Sequence, residues 1–296
     1  MTARLWRLQH RLAPYAFVLP FVALFGAFLF YPLGRSLVLS AYQTAGPRQA
    51  RFVGLANYRF LLGDRLFWWA VANTLLFTIA YVAIQVPAAL GLAMLLDRPR
   101  LLARAVLRFS FFAAYLVGSV FVAVLFAQLL APRGGPVNTV LGWVVGGDVT
   151  INWLGDRRLA MASVLIASLW LSIGYGMVYC LAALQSVDRA LYDAAAVDGA
   201  GRWARFRHVT LPGVRPVLGV LALVGTVGAL QLFELPYVLF AGPGPNLSAL
   251  TIVMYLFGHG FEQGDLGYAS AAGWVLVLIT AVVAIVLLRL ARTEEP

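Results

Sequence analysis

Five side chains in one apolar stretch have spacings that bring them together. Ser168, Leu171, Ser172, Tyr175 and Tyr179 fall at i, i+3, i+4, i+7 and i+11, and so share one face of a helix. Hydroxyls and aromatic rings turned toward lipid would be wasted. The stripe therefore faces either neighbouring protein, as ordinary helix-packing residues, or a water-filled path. A second polar pair, Gln231 and Glu234, interrupts another apolar run. Glu234 is the one acidic residue inside a predicted span, and a carboxylate at mid-membrane costs on the order of 2.5–3.5 kcal/mol on insertion scales. It must point into a bundle interior or sit near a mouth. There it acts either as a hydrogen-bond acceptor for a polyhydroxylated solute or as a structural carboxylate, ion-paired or protonated. The chemistry on offer is hydrogen bonding and stacking.

Bond-making chemistry finds no foothold. The chain has no lysine, so it cannot form a conventional phosphate-binding loop, which needs a lysine after its glycines. His10, His208 and His259 are scattered, and Cys180 is the only cysteine. This argues against a metal site and excludes a disulfide framework. No histidine–carboxylate or serine–base spacing supports a membrane-embedded enzyme.

The elements that must position these groups are read from composition. Of 296 residues, 62% are hydrophobic and 11% charged, with a mean hydropathy of +0.85. A soluble domain cannot hide that much apolar surface, so the fold class is an all-α polytopic membrane protein. The net charge of +10 invites a nucleic-acid reading. The arginines instead collect at the ends of apolar runs, where they orient spans, and no nucleic-acid partner is expected.

Six spans are predicted, over about 13–31, 69–96, 109–130, 159–184, 213–239 and 267–288, in a single transmembrane domain of residues 1–296. The first follows Arg4, Arg7 and Arg11; it is too long for a signal peptide and lacks an evident cleavage site. The second contains Gln85 and Pro87, and a kink there is tolerable if neighbouring helices cover the freed backbone. Asn73 reads as a polar group satisfied in helix packing. Arg98, Arg100, Arg104 and Arg108 mark a cytoplasmic loop, and Arg289 and Arg292 mark a cytoplasmic tail. The expected inner segments hold 14 arginines; the outer segments and adjoining span ends hold 8. That bias places both termini in the cytoplasm of a plasma (inner) membrane protein.

Between the fourth and fifth spans lies a charged, alanine-rich island, residues 188–212, in a loop taken as 186–212. It reads as two short helices broken by Gly199 and Gly201. Ser186 is the expected N-cap of the first helix, with Asp188 near its positive end. Leu191, Ala194, Ala195 and Asp198 recur on one face, a shallow surface that a partner's backbone can approach. Gly199 supplies the positive φ that stops the helix. Trp203, Phe206 and Val209 give the second helix an apolar edge, and Pro212 is expected to end it.

The run Asp193-Ala194-Ala195-Ala196-Val197-Asp198-Gly199-Ala200, followed by Phe206 and Leu211-Pro212, resembles the EAA loop of binding-protein-dependent ABC importer permeases. Asp193 stands where glutamate is usual, and Asp188 where the family often has proline. Phe52-Val53-Gly54-Leu55-Ala56-Asn57-Tyr58, Asn152-Trp153-Leu154, Gly242-Pro243-Gly244-Pro245 and Gly267-Tyr268-Ala269-Ser270-Ala271 are similar to segments of its sugar permeases. The stretch from Ser168 to Ser186 is similar to the maltose permease branch. The resemblance implies six transmembrane helices of the maltose-permease type with a cytoplasmic coupling-helix loop. It also implies an ATPase-docking surface of Asp193, Ala194, Ala195, Asp198, Gly199 and Ala200, supported by Arg205 and Phe206. The substrate-path candidates are Ser168, Leu171, Ser172, Tyr175, Tyr179, Gln231 and Glu234. Aromatic faces stack on sugar rings while hydroxyls and amides satisfy sugar hydroxyls.

The implied partners are a second permease subunit, two copies of an ATPase subunit that use ATP and magnesium, an extracytoplasmic solute-binding protein, and membrane lipid. No cofactor is expected on this chain. The implied cargo is a carbohydrate, most readily a maltose-type oligosaccharide. The alternatives are a glycerol-phosphate or polyol permease and, from another class, an ion-coupled secondary transporter. The latter would need paired ionisable groups in the membrane, where only Glu234 is available.

Overall fold

Long apolar runs without water to satisfy their backbones must close their hydrogen bonds internally, and helices do so. The computed structural model describes residues 3–46, 50–98 and 103–292; Arg100 of the basic loop lies outside them. Among these residues five helices are long and apolar enough to cross a bilayer, or six if one sharply bent pair counts as a span. The chain is an all-α polytopic membrane protein, and its described residues fall into two compact units.

The first unit comprises Met1–Asp64 and Leu256–Val275. Helix α1 (Ala3–Phe25) runs through one π turn, Gly26–Phe30, into α2 (Tyr31–Leu39). The apolar span Ala13–Leu39 has none of its most apolar window buried, as expected of a helix that faces lipid. The polar loop that follows holds a short hairpin, β1 (Tyr42–Thr44) and β2 (Ala50–Phe52), with Tyr42 opposite Phe52. Helix α3 (Ala56–Gly63) is tied back by Asn57, whose Nδ2 donates to the carbonyls of Ser40 and Tyr42, each at 2.8 Å. Asp265 accepts from Thr44 N, Thr44 Oγ1 and Tyr268 N.

The second unit comprises Arg65–Tyr255 and Leu276–Pro296. Its centre is the pair α4 (Arg65–Leu96) and α8 (Arg157–Ser186). Helix α4 passes through Pro87 without a break. The expected third span is two helices, α5 (Arg104–Tyr115) and α6 (Ser119–Leu129), bent by 101°. The bend falls at Gly118-Ser119, a pairing that kinks helices. Gly174 lets the α5 backbone lie on α8, since a Cβ there would stand 1.9 Å from the Phe111 carbonyl oxygen.

Helix α7 (Pro136–Val145) is held by the buried Asn138, which donates to the carbonyls of Pro132 and Ile151 at 3.1 and 2.9 Å and accepts from Trp153 Nε1 at 2.8 Å. The island contains α9 (Arg189–Val197) and α10 (Arg202–Arg205). Helices α11 (Leu211–Leu230), α12 (Glu234–Phe240) and α13 (Ile252–Phe257) follow, and α14 (Leu266–Arg292) is the last described element.

Three local expectations change here. Ser186 is the last residue of α8, with Oγ donating to the Ala183 carbonyl, and the N-cap of α9 is Asp188, which accepts from Ala190 N at 2.9 Å. A carboxylate one residue clear of the preceding helix is better placed to cap the next. Pro212 does not end a helix. Backbone continues from Arg202 to Leu230 through a π turn, Phe206–Thr210, closed by Leu211 N–H to the Phe206 carbonyl. A wide turn just before a proline eases the clash of its ring with the carbonyl four residues back; Gly26–Phe30 precedes Pro32 in the same way. The predicted fifth span breaks at Gln231–Phe233, between α11 and α12.

Candidate functional site

The two helix breaks of the second unit meet. Ser119, the first residue of α6 after the bend, donates its hydroxyl to Glu234 Oε2 in the first turn of α12. The carbonyl of Leu232, freed by the second break, accepts from Thr251 Oγ1 at 2.8 Å. Non-helical backbone at membrane depth is tolerated where it is buried in protein or lines a cavity, and both conditions hold. The cost assigned to a lone mid-membrane carboxylate is thereby reduced: Glu234 is exposed to the cavity and has a hydroxyl donor.

That cavity has a volume of about 550 Å³ and is lined by α4, α8, α11 and the two breaks. It lies between two apolar clusters. One, around Phe77, Val122, Phe126 and Leu235, contributes Phe77, Ala229 and Leu235 to its wall. The other, around Ala89, Met177, Cys180 and Leu221, contributes Leu221. Six of the seven sequence-predicted path residues line it: Ser168, Leu171, Ser172 and Tyr175 from α8, and Gln231 and Glu234 from the second break.

Tyr179 does not line it. Its ring meets that of Tyr175 at a tilt of 52°, with centroids 4.8 Å apart, and it is 47% exposed. It shares the predicted helical face but lies one turn further along α8 than Tyr175.

Sequence reasoning missed the opposing wall. Tyr115 stacks on Tyr175 at 4.6 Å, and Phe77 on Tyr81 at 5.8 Å. Tyr81, Gln85, Tyr115, Ser119 and Phe233 all line the cavity. The Gly118-Ser119 pair was the available signal for the bend that brings Tyr115 and Ser119 in. Nothing in the spacing of Tyr81 or Gln85 marks them. Two polar atoms of lining residues, Gln85 Oε1 of α4 and Ser168 Oγ of α8, are buried without a hydrogen-bond partner. Leaving such a group unpaired costs roughly 1–3 kcal/mol. Stacked aromatic faces beside hydroxyls, an amide and a carboxylate suit an uncharged, polyhydroxylated ring compound.

Asn73 belongs to the packing, as predicted: its Nδ2 donates to the Leu247 and Leu250 carbonyls at 3.2 and 3.1 Å.

The island is built as a stiff handle. Helix α9 ends in paired bonds from Gly199 N to the Ala196 carbonyl and from Ala200 N to the Ala195 carbonyl, at 3.1 and 2.9 Å, with Gly199 at φ +75°. This is the Schellman arrangement that a left-handed glycine permits. Arg205 Nε donates to the Ala200 carbonyl at 2.8 Å, so the second helix grips the end of the first. The Tyr192 hydroxyl meets Thr210 Oγ1 at 3.0 Å. Phe206 and Val187 pack onto the apolar cluster of α4, α8 and α11. Asp193, Ala194, Asp198 and Gly199 are exposed, whereas Ala195, Ala200, Arg205 and Phe206 are half-buried. Val197 and Trp203 are 89% and 70% exposed, apolar surface beyond what the handle itself uses.

A family model described as binding-protein-dependent transport system inner membrane component matches residues 85–296. A lactose transport system permease protein of Rhizobium radiobacter is 36% identical over 281 residues, 94% of each chain. An arabinooligosaccharides transport system permease protein of Bacillus subtilis (strain 168) is 31% identical over 279 residues, covering 94% of this chain and 88% of that one. Among solved structures, a chain of a bacterial alginate ABC transporter, crystallised in complex with an alginate pentasaccharide-bound periplasmic protein, superposes with a TM-score of 0.85 at 24% identity over 98% of both chains.

Proposed function

The chain belongs to the family of binding-protein-dependent transport system inner membrane components, and from that premise we propose that it forms half of the membrane path of an ATP-driven importer for a neutral di- or oligosaccharide. It is a permease subunit and not an enzyme; hydrolysis of ATP, with magnesium, is the work of partner subunits. One observation carries the reading. Two of the helices that wall the cavity, α8 and α11, are the two that the handle joins. A force applied to residues 202–208 reaches Gly225 through continuous helix, and one applied to α9 reaches Ser168, Ser172 and Tyr175 of α8 across the short extended link Val187-Asp188.

In this reading one of the two copies of an ATPase subunit grips Asp193, Ala194, Ala195, Asp198, Gly199 and Ala200. Arg205 and Phe206 hold that surface in shape. Closure of the ATPase on ATP turns α8 and α11 as rigid bodies and switches access to the cavity. The grip must differ between the two states for work to be transmitted. A second permease supplies the other half of the path, and an extracytoplasmic solute-binding protein delivers the sugar. The handle and both termini face the cytoplasm, in keeping with the arginine bias. A sugar cargo is supported by the names of the relatives, which carry lactose and arabinooligosaccharides, and by the stacked rings and hydroxyls of the cavity. An anionic phosphate ester fits poorly beside Glu234. Maltose-type oligosaccharides fit the same chemistry.

The test is uptake by proteoliposomes containing the assembled importer and its solute-binding protein, with lactose, maltose, an arabinooligosaccharide and glycerol 3-phosphate as labelled solutes. ATP-dependent uptake of at least one of the sugars is expected. Uptake driven by an ion gradient without ATP, or uptake of glycerol 3-phosphate alone, overturns the proposal.

A further inference from the structure

Gln85 is a polar side chain that neither packing nor the handle uses. It lies in α4, 3% exposed, and its Oε1 has no hydrogen-bond partner. The space around its carboxamide is made by omission. A methyl group at Gly176 of α8 would come within 2.6 Å of Nε2. Gln85 lines the cavity, as does Leu221 of the apolar cluster that contains Ala89. Across the cavity, Ser168 Oγ is likewise buried and unpartnered. A buried amide that finds no partner in its own chain is unfavourable, and a leucine of similar bulk would avoid that cost. Both residues line the cavity, so a ligand that brings hydroxyl groups can supply the missing partners once these side chains turn toward it.

We infer that Gln85 is a specificity-determining contact, accepting a hydroxyl of the carried sugar in the cavity. It adds α4 to the recognition surface, whereas the predicted path residues come only from α8 and the second helix break. The inference rests on the sugar-importer reading. A site that holds an amide ready for a hydroxyl discriminates against an analogue lacking it, because the amide is then left unpaired. For one neutral hydrogen bond the discrimination is about tenfold.

The experiment uses the assembled importer in proteoliposomes, with lactose, maltose and their monodeoxy analogues. In the unsubstituted protein one analogue is taken up with a kcat/KM about tenfold below its parent. In Gln85→Leu the parent falls about tenfold and the penalty for that analogue disappears. The solute-binding protein is common to every arm, so its own preference cancels in the ratio. Gln85→Met is the second variant should the leucine form fail to assemble. If Gln85→Leu or Gln85→Met retains both the parent rate and the deoxy penalty, Gln85 is a packing residue and the inference is wrong. Failure of the unsubstituted importer to move any sugar strikes instead at the importer reading, and takes the inference with it.

Discussion

Gly199 offers a clean perturbation of the handle, because space and backbone separate there. A Cβ at Gly199 would meet nothing within 4 Å, yet the residue sits at φ +75°. The Cβ of Gly199→Val therefore meets no neighbour. The substitution imposes only the left-handed penalty, on the order of 1–2 kcal/mol per residue and largest for β-branched side chains. Set against a total stability of roughly 5–15 kcal/mol, this leaves insertion and the cavity intact. Concentrated on two hydrogen bonds, from Gly199 and Ala200 to the end of α9, it is enough to open the Schellman turn. A shift of 1–2 kcal/mol lowers the population of the docking-competent handle roughly 5- to 30-fold. The prediction is a fall of that size in ATP-driven sugar uptake by proteoliposomes, with unchanged amounts of chain in the membrane. Gly199→Asn should retain most of the uptake, since asparagine tolerates the left-handed region. Full uptake by Gly199→Val would refute the claim that the handle's shape couples ATPase to path.

Other consequences follow from the same geometry. Ser119→Ala removes the hydroxyl donor to Glu234; sugar uptake should fall several-fold while Glu234→Gln, which can pair with Ser119 as a neutral amide, keeps more, and equal losses in uptake assays would contradict this. Gly174→Val drives a side chain into the Phe111 carbonyl, a backbone atom that cannot step aside, so it should cost more than about 3 kcal/mol and show as loss of folded protein in detergent size-exclusion profiles. Asn138→Ala strips the Trp153 indole and two carbonyls of their partner; at about 1 kcal/mol per bond the melting temperature of the purified complex should drop by several degrees, and an unchanged value would show the α7 segment to be held by other means.

The sequence carried the period-3.6 signals well. The stripe on α8 is where its spacing puts it, because one uninterrupted helix preserves the register from Ser168 to Tyr175. Gly199 stops its helix as its freedom from a Cβ requires. What the sequence hid was where helices stop lying straight. Gly118-Ser119 and Gln231–Phe233 sit inside runs apolar enough to pass as continuous spans, so hydropathy merged α5 with α6 and α11 with α12. The breaks are stabilised by partners far along the chain, Ser119 for Glu234 and Thr251 for Leu232, and pairings at separations of 115 and 19 residues leave no periodic trace. Pro212 misled in the opposite direction. A proline read as a terminator is absorbed by a π turn, which tertiary packing of Phe206 and Leu211 onto the inner cluster makes worthwhile.

The breaks also account for how a sealed bundle can carry a polar solute. A straight helix offers side chains only, with its backbone groups already satisfied. Each break frees backbone and turns a polar residue inward at the same depth, here Ser119 and Glu234, without an unpaired carbonyl at Leu232. Discontinuous helices serve transporters in this way. In the proposed cycle α8 and α11 move with the handle. The Gly174–Phe111 contact obliges α5 to follow α8, whereas α6 is held to α12. The bend at Gly118 is then the point where motion of α5 is taken up, and the Ser119–Glu234 bond is the contact that changes as the cavity opens. A disulfide joining cysteines introduced on α5 and α6 across that bend should arrest transport in the oxidised importer and release it on reduction. Uptake that is indifferent to oxidation would place the moving joint elsewhere.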